Sequence, residues 1–198
     1  ESQWITGERS RKLVHKLRAE VNSVLVGSGT LLADDPQLTN RMFRVASRQP
    51  LKVLLDSKLQ VTQEHRIIGG QPEDLIVFCT ARAELEKAEK LSSLGVRIVR
   101  QDTGGRVNLT EALASLGELG IQSVLVEGGS SVFASFWGLG LINEYYLFYG
   151  PFFIGGDSAP GVLGGRGVKS LAEVEHLKVE SVKKIGSDIL VHAYKEET

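Results

Sequence analysis

Short apolar runs alternate with helical patterns along most of the chain. Apolar residues recur at helical spacing over 10–21, which predicts an amphipathic helix with Ser10 as its N-cap. The run at 23–27 is too short for a helix and does not alternate, so it predicts a strand buried on both faces. Further strands are predicted at 53–56, 75–80, 96–99, 124–127 and 145–149, and further helices at 82–93, 109–119 and 130–141. This β-α-β alternation indicates an α/β fold.

The last quarter of the chain has a different pattern. Six glycines between 155 and 167, with few periodic positions, predict a surface loop. Two later runs, at 177–185 and 189–194, meet at the turn-like residues 186–188. They predict a C-terminal antiparallel hairpin, and therefore a mixed sheet. No repeat or linker requires a second domain.

Composition excludes several classes of partner. The 198 residues include 23 Lys and Arg against 24 Asp and Glu, so a formal charge of −1 disfavours nucleic acid and anionic membranes. The absence of a long apolar stretch or a signal-peptide pattern predicts a soluble chain. The single cysteine, Cys79, lies in an apolar run, which predicts a buried thiol and fits a reducing cytoplasm. Four histidines without metal-ligand spacing predict no metal site.

The passage around Glu127 is the more informative of two candidate sites. A predicted strand runs through Gly128 and Gly129 into a predicted helix, whose N-terminus would present unpaired N–H groups to phosphate. An ordinary strand-to-helix turn explains the same residues. Glu127 fits two roles equally, as a helix cap or as an acceptor of hydrogen bonds from a ligand. The Rossmann and phosphate-loop glycine motifs are both absent.

The second candidate site follows the first predicted strand, at 27–41. Asp34 and Asp35 are adjacent and would point apart, which disfavours a shared-proton pair, and Pro36 predicts extended backbone at Asp35. Arg18 lies at the edge of the apolar face of its helix, where a guanidinium would face an anion. Arg41 would supply a second guanidinium group, suited to bidentate pairing with the same phosphate. Solvation of both arginines at the surface is equally compatible with the sequence.

Five segments of the chain form one combined pattern: Ser2-x-Trp4-Ile5-Thr6-Gly7, Leu17-Arg18-Ala19, Val26-Gly27-x-Gly29-Thr30, Ala33-Asp34-Asp35-Pro36-x-Leu38-Thr39-x-Arg41 and Glu127-Gly128-Gly129. Taken together, they resemble one family, the reductase domain of the bacterial bifunctional riboflavin-biosynthesis deaminase/reductase. The resemblance runs nearly end to end. It implies a dihydrofolate-reductase-like α/β fold, with a mixed, mostly parallel sheet flanked by helices and closed by a C-terminal antiparallel hairpin.

The resemblance also implies a reaction and its residues. NADPH would reduce 5-amino-6-(5-phosphoribosylamino)uracil to the ribitylamino compound by hydride transfer to carbon 1 of the ribose. Glu127 and Asp34 would be the catalytic residues, as orienting groups. The substrate contacts would be Ser2, Arg18, Leu38, Arg41 and Glu127. The cofactor contacts would be Trp4, Thr30, Asp34, Ser57, Gly129, Ser130, Ser131, Val132, Phe133, Ala134 and Ser135.

Other expectations concern the whole protein. The opening without methionine suggests a piece of a longer chain, and we expect one reductase domain over 1–198, lacking its first strand and the upstream deaminase domain. The resemblance implies a homodimer, and the single cysteine favours a cytoplasmic location. Trp137, Phe152 and Phe153 are candidates for the dimer interface, although core burial is the favoured interpretation. Two other functions stay open: a catalytically silent nucleotide-binding module, and a pterin or folate-type reductase.

The preference for NADPH over NADH is also open, because Ser57 and Lys58 would suit a 2′-phosphate whereas Asp56 would favour a free 2′-hydroxyl.

Overall fold

A computed structural model describes residues 5–41, 49–156, 159 and 161–196. The chain forms two compact units. Residues 15–129 make up the first, here called the parallel-sheet unit. The second, the hairpin unit, consists of the described residues of 1–14 and 130–198. Helix α1 (Glu8–Glu20) contributes its first half to the hairpin unit and its second half to the parallel-sheet unit.

Five parallel strands form the sheet of the parallel-sheet unit. Their order is β4-β3-β2-β1-β5, so the chain steps away from β1 in one direction and then returns to its other side. The strands are β1 (Ser23–Gly27), β2 (Leu51–Leu55), β3 (Leu75–Thr80), β4 (Arg97–Gln101) and β5 (Val124–Gly128). The helices between them are α2 (Ser28–Asp34), α3 (Leu85–Ser93) and α4 (Leu109–Glu118).

The apolar runs become strands because the sheet buries them on both faces. Every residue of β1 and β3 is buried, including Cys79, as the lack of alternation predicts. A cluster of buried apolar residues joins β1, β2 and β3 with Leu31 of α2 and the loop residues Leu38 and Leu59. The core therefore reaches into the loops that follow α2 and β2.

The hairpin unit contains α5 (Ser130–Gly138), β6 (Glu144–Tyr149), β7 (Leu177–Ile185) and β8 (Asp188–Lys195). These three strands form an antiparallel sheet in the order β6-β8-β7, and the predicted C-terminal hairpin is confirmed. Hydrogen bonds join the described strands into two sheets, parallel and antiparallel, whereas the sequence predicted one mixed sheet. Apolar runs identify strands, but they do not say which strands are neighbours.

Several local predictions were wrong. Helix α1 begins at Glu8, and Ser10 lies inside it, where its buried hydroxyl donates to Asp188 instead of capping the helix. Helix α2 was missed because it has only seven residues. Core burial was also the wrong interpretation for Phe152, which is half exposed, and for Phe153, which is fully exposed. In the described part of the chain, no helix has the length and apolar character needed to span a membrane.

Asp188 connects the start of α1 to the β7–β8 turn. Its carboxylate accepts hydrogen bonds from the Gly7 N–H at 2.7 Å and from the Ser10 and Ser187 hydroxyls. The Ser10 hydrogen bond, followed by that of Gly7, lowers the pKa of Asp188 below its usual value of 3.8. The ionised carboxylate therefore stabilises the folded state, and this stabilisation is present above the unfolded-state pKa and lost as the pH falls below it.

We expect Asp188→Ala to lower the midpoint of thermal unfolding at pH 7 by about 3 °C, because three donors lose their acceptor. The difference from wild type should shrink as the pH falls from about 4 to about 2, since protonation weakens the same contacts. Thermal unfolding followed by circular dichroism across this range measures both effects. The exposed Asp102→Ala serves as the control; an equal loss of stability in that variant would contradict the prediction.

Candidate functional site

The order of the strands brings two loops together at one edge of the parallel sheet. Because β2 and β5 flank β1 on opposite sides, the loop after β1 and the end of β5 are neighbours where the strand order reverses. Ligands of open α/β sheets bind at such a switch point, outside the carboxyl ends of the strands. The residues at this point are Ser28 to Thr30 after β1 and Glu127 to Gly129 at the end of β5.

The two glycines after Glu127 lie against Thr30. A Cβ atom built on Gly128 or on Gly129 would be 3.3 Å from the Thr30 hydroxyl oxygen, and Gly128 has a φ of +151°, which side chains rarely adopt. The peptide bond that joins the two glycines is cis. At Gly29, by contrast, an added Cβ would meet no atom within 4 Å. A side chain at Gly128 would strain the backbone, a Cβ at Gly129 would make a tight contact with Thr30, and the space beside Gly29 is open.

Glu127 is displaced from the regular pairing of the sheet. Leu25 pairs with Val126 and the next residue, Val26, pairs with Gly128, so Glu127 is an extra residue in β5. Such a bulge redirects a side chain, and bulges are common beside functional sites. The hydrophobic periodicity of the sequence does not predict this bulge.

Arg18 forms a bidentate ion pair with Glu127. Its Nε and Nη2 atoms each lie 2.6 Å from a carboxylate oxygen, and Nη1 donates to the Thr39 carbonyl at 3.0 Å. The two side chains are only 13% and 16% exposed. The anion that the sequence predicted for Arg18 is therefore Glu127 in this structure. Binding of a phosphate by Arg18 and Arg41 stays a prediction.

The predicted substrate residues after α2 lie in the loop that Arg18 contacts. Leu38 is buried in the core with a φ of +54°, whereas Arg41 is exposed. Three residues other than glycine have positive φ in the described ranges: Asp35 and Leu38 after α2, and Leu59 after β2. Such conformations concentrate at functional sites.

Asp34 and Asp35 separate at the end of α2. Asp34 lies four residues after Thr30, on the same face of the helix, and is exposed. The extended backbone predicted at Asp35 is wrong: the residue is left-handed, with a φ of 41°, and its N–H donates to the Leu31 carbonyl as the C-cap of α2. Aspartate tolerates this conformation better than most residues do. The Asp35 carboxylate accepts from the Arg66 N–H at 2.8 Å, so a carboxylate pair has no support.

Asp56 and Ser57 follow β2 at the same edge of the sheet. Asp56 is fully buried, and its Oδ2 atom accepts from the Val61 N–H at 2.8 Å. Burial raises the pKa of Asp56 despite backbone hydrogen bonds from the loop. The Ser57 hydroxyl oxygen accepts from the Val107 N–H at 3.2 Å, and Lys58 is exposed. The Asp56 carboxylate is thus directed into its own loop, while Lys58 faces solvent.

The remaining predicted residues are divided between the two units. Gly129 ends the parallel-sheet unit, whereas Ser130 to Ser135 are the first six residues of α5 in the hairpin unit. Ser2 and Trp4 lie outside the described residues. Sequence reasoning missed two polar residues near Arg41, His15 and Gln49, which are considered below. Across the ranges that the structure describes, no three potential metal ligands come together.

Known proteins share this architecture. A model of the RibD C-terminal domain family matches residues 1–191. The riboflavin biosynthesis protein RibD of Bacillus amyloliquefaciens is 36% identical over 98% of this chain and 52% of its own length. A 2,5-diamino-6-ribosylamino-4(3H)-pyrimidinone 5′-phosphate reductase of Aquifex aeolicus is 30% identical over 88% of this chain and 76% of its own length.

A solved structure agrees with these relatives. The diaminohydroxyphosphoribosylaminopyrimidine deaminase/5-amino-6-(5-phosphoribosylamino)uracil reductase of Thermotoga maritima is similar with a TM-score of 0.79 and 32% identity. The similarity covers 98% of this chain and 51% of that one. The chain spans about half the length of the curated RibD proteins that it matches.

The Arg18–Glu127 pair predicts a measurable loss of stability. Arg18→Gln should lower the free energy of unfolding by about 2 kcal/mol, because it leaves a largely buried carboxylate without its cation. Urea denaturation measures this loss, and Lys16→Gln is the matched control. Lys16 pairs with Glu20 on the same helix, but both side chains are more than half exposed, so its loss should be below about 0.5 kcal/mol. Equal losses in the two variants would show that burial of the pair is irrelevant.

Proposed function

The chain belongs to the family of RibD C-terminal domains, and from this membership we propose that it is an NADPH-dependent reductase of riboflavin biosynthesis. Its substrate is 5-amino-6-(5-phosphoribosylamino)uracil and its product the corresponding ribitylamino compound. The name of the Aquifex aeolicus relative supports a second substrate, the 2,5-diaminopyrimidinone, which differs in the base and keeps the phosphoribosylamino group. Both substrates require reduction of the same sugar carbon.

One observation carries the proposal: Glu127 lies beside two glycines and Thr30 at the switch point of a parallel sheet. A Cβ at either glycine would lie 3.3 Å from the Thr30 hydroxyl oxygen, so the two glycines let the end of β5 approach the start of α2 closely. Thr30, Asp34, Ser57 and Gly129 of the parallel-sheet unit would contact the cofactor, while the contacts of Trp4 and of Ser130 to Ser135 stay predictions. When bound, NADPH supplies the hydride that the sugar accepts at carbon 1.

The protein's own residues would orient the substrate. Both oxygens of Glu127 already accept from Arg18, so the carboxylate is suited to accepting a further hydrogen bond from a ribose hydroxyl. Arg41, which is exposed, would bind the phosphate. Leu38 is buried, so its backbone would provide the contact predicted for it. Positioning of this kind accounts for hydride transfer without a nucleophilic residue.

The structure of the β2 loop supports NADPH over NADH. An acidic residue at this strand end favours NADH only when its carboxylate reaches the ribose 2′-hydroxyl. Asp56 is fully buried and bonded to Val61, which leaves Ser57 and the exposed Lys58 to meet a 2′-phosphate. We further propose a homodimer, a cytoplasmic location and a deaminase domain in the full-length protein, consistent with the half-length match to RibD proteins.

Turnover tests the reaction. We expect the purified protein to oxidise NADPH when the phosphoribosylaminopyrimidine is present, and Glu127→Gln to lower kcat/KM by about 100-fold through loss of an orienting acceptor. Loss of nicotinamide absorbance measures the rate, and the exposed Glu20→Gln is the control. Cofactor binding without turnover would indicate the silent binding module instead. Reduction of dihydrofolate, with no reaction of the phosphorylated substrate, would indicate a pterin-type reductase.

Cofactor preference has a separate test. Lys58→Gln should raise the KM for NADPH by about tenfold and leave the KM for NADH unchanged, because only NADPH carries the 2′-phosphate. Steady-state kinetics with each cofactor measures the two values. Lys90→Gln on α3, also exposed, provides a matched loss of charge. If Lys58→Gln changed both KM values equally, Lys58 would not read the 2′-phosphate.

A further inference from the structure

The backbone groups of three consecutive residues, Thr39 to Arg41, form hydrogen bonds with side chains from other parts of the chain. The Thr39 carbonyl accepts from Arg18, and the Arg41 N–H donates to His15 Nδ1 at 3.4 Å. Between them, the Asn40 N–H and carbonyl are both bonded to Gln49. The backbone therefore has a hydrogen bond to a side chain at each of these three residues, although Arg41 lies outside any helix or strand.

The contact between Gln49 and Asn40 is the closest of these. Gln49 Oε1 accepts from the Asn40 N–H at 2.7 Å, and Gln49 Nε2 donates to the Asn40 carbonyl at 3.0 Å. Asn40 is only 5% exposed, so these bonds are largely shielded from water. A primary amide can donate and accept at once, which a carboxylate or an aliphatic side chain of similar size cannot do.

The peptide group between Asn40 and Arg41 is bonded at both ends. Gln49 donates to its carbonyl and His15 accepts from its N–H. Acceptance at Nδ1 requires a neutral imidazole, and burial, followed by the charges of Arg18 and Arg41, lowers the pKa of His15. A fixed peptide plane sets the direction in which the Arg41 side chain leaves the backbone.

We propose that Gln49 is a positioning residue for Arg41, and that it directs the Arg41 guanidinium toward the phosphate of the substrate. This inference rests on the proposed function, in which Arg41 binds that phosphate. Gln49 itself does not touch the substrate. It acts through the Asn40–Arg41 peptide group, so its effect on binding should depend on Arg41 and on the phosphate.

The experiment compares Gln49→Glu, Gln49→Met and Arg41→Gln with the double variant Gln49→Glu/Arg41→Gln. In Gln49→Glu a carboxylate oxygen faces the Asn40 carbonyl in place of a donor, while Gln49→Met removes both bonds without that repulsion. Calorimetric titration with ribose 5-phosphate and with ribose measures phosphate recognition without turnover. The KM for the phosphorylated substrate is measured in parallel. Gln122→Glu, at an exposed glutamine, controls for the added charge, and thermal unfolding confirms that each variant is folded.

We expect both Gln49 variants to bind ribose 5-phosphate roughly tenfold more weakly, with ribose binding and kcat unchanged. Arg41→Gln should weaken ribose 5-phosphate binding by about 10- to 100-fold, and the double variant should be no weaker than Arg41→Gln alone. Additive losses in the double variant, or normal binding by both Gln49 variants beside a weakened Arg41→Gln, would overturn the positioning role alone. Normal binding by Arg41→Gln would overturn the phosphate assignment of the proposed function and this inference with it.

Discussion

The return of β5 to the free side of β1 is the constraint on which the candidate site depends. It brings the end of β5 beside the start of α2, two segments about 100 residues apart in sequence. Only because of this neighbour relation can Thr30 oppose Gly128 and Gly129, and only then can Arg18 reach Glu127. If β5 had extended the sheet beyond β4, these residues would belong to opposite edges of it.

The bulge in β5 and the Arg18–Glu127 pair depend on each other. A carboxylate that is 16% exposed needs a cation and hydrogen bonds to offset the loss of hydration. With regular pairing, successive side chains of β5 would have continued to point to alternate faces of the sheet. The extra residue at Glu127 changes the direction of its side chain. The guanidinium then contacts both oxygens and still reaches Thr39 with Nη1. One arginine thus connects β5 to the loop that carries Arg41.

The sequence predicts regular elements better than it predicts their contacts. Strands β1 and β3 were predicted at their observed bounds because each is an unbroken apolar run that the sheet buries on both faces. The hairpin was predicted because turn residues separate its two runs. Ser10 was misjudged because its buried partner, Asp188, is 178 residues away, and no local pattern reveals such a distance. The conformation of Asp35 was misjudged because the C-cap hydrogen bond to Leu31 outweighs the usual effect of Pro36.

The two arginines show why residue type alone does not assign a role. The planar guanidinium groups of Arg18 and Arg41 can each pair with an oxyanion, and the sequence alone does not distinguish between them. In the structure the charge of Arg18 is balanced by Glu127, and burial, followed by the charges of the two arginines, lowers the pKa of His15 and so favours its neutral form. The group of four side chains therefore keeps one net positive charge, and Arg41 is its exposed member. On the proposed function, a phosphate drawn to this charge would meet Arg41 first, and Glu127, held by Arg18, would face the sugar.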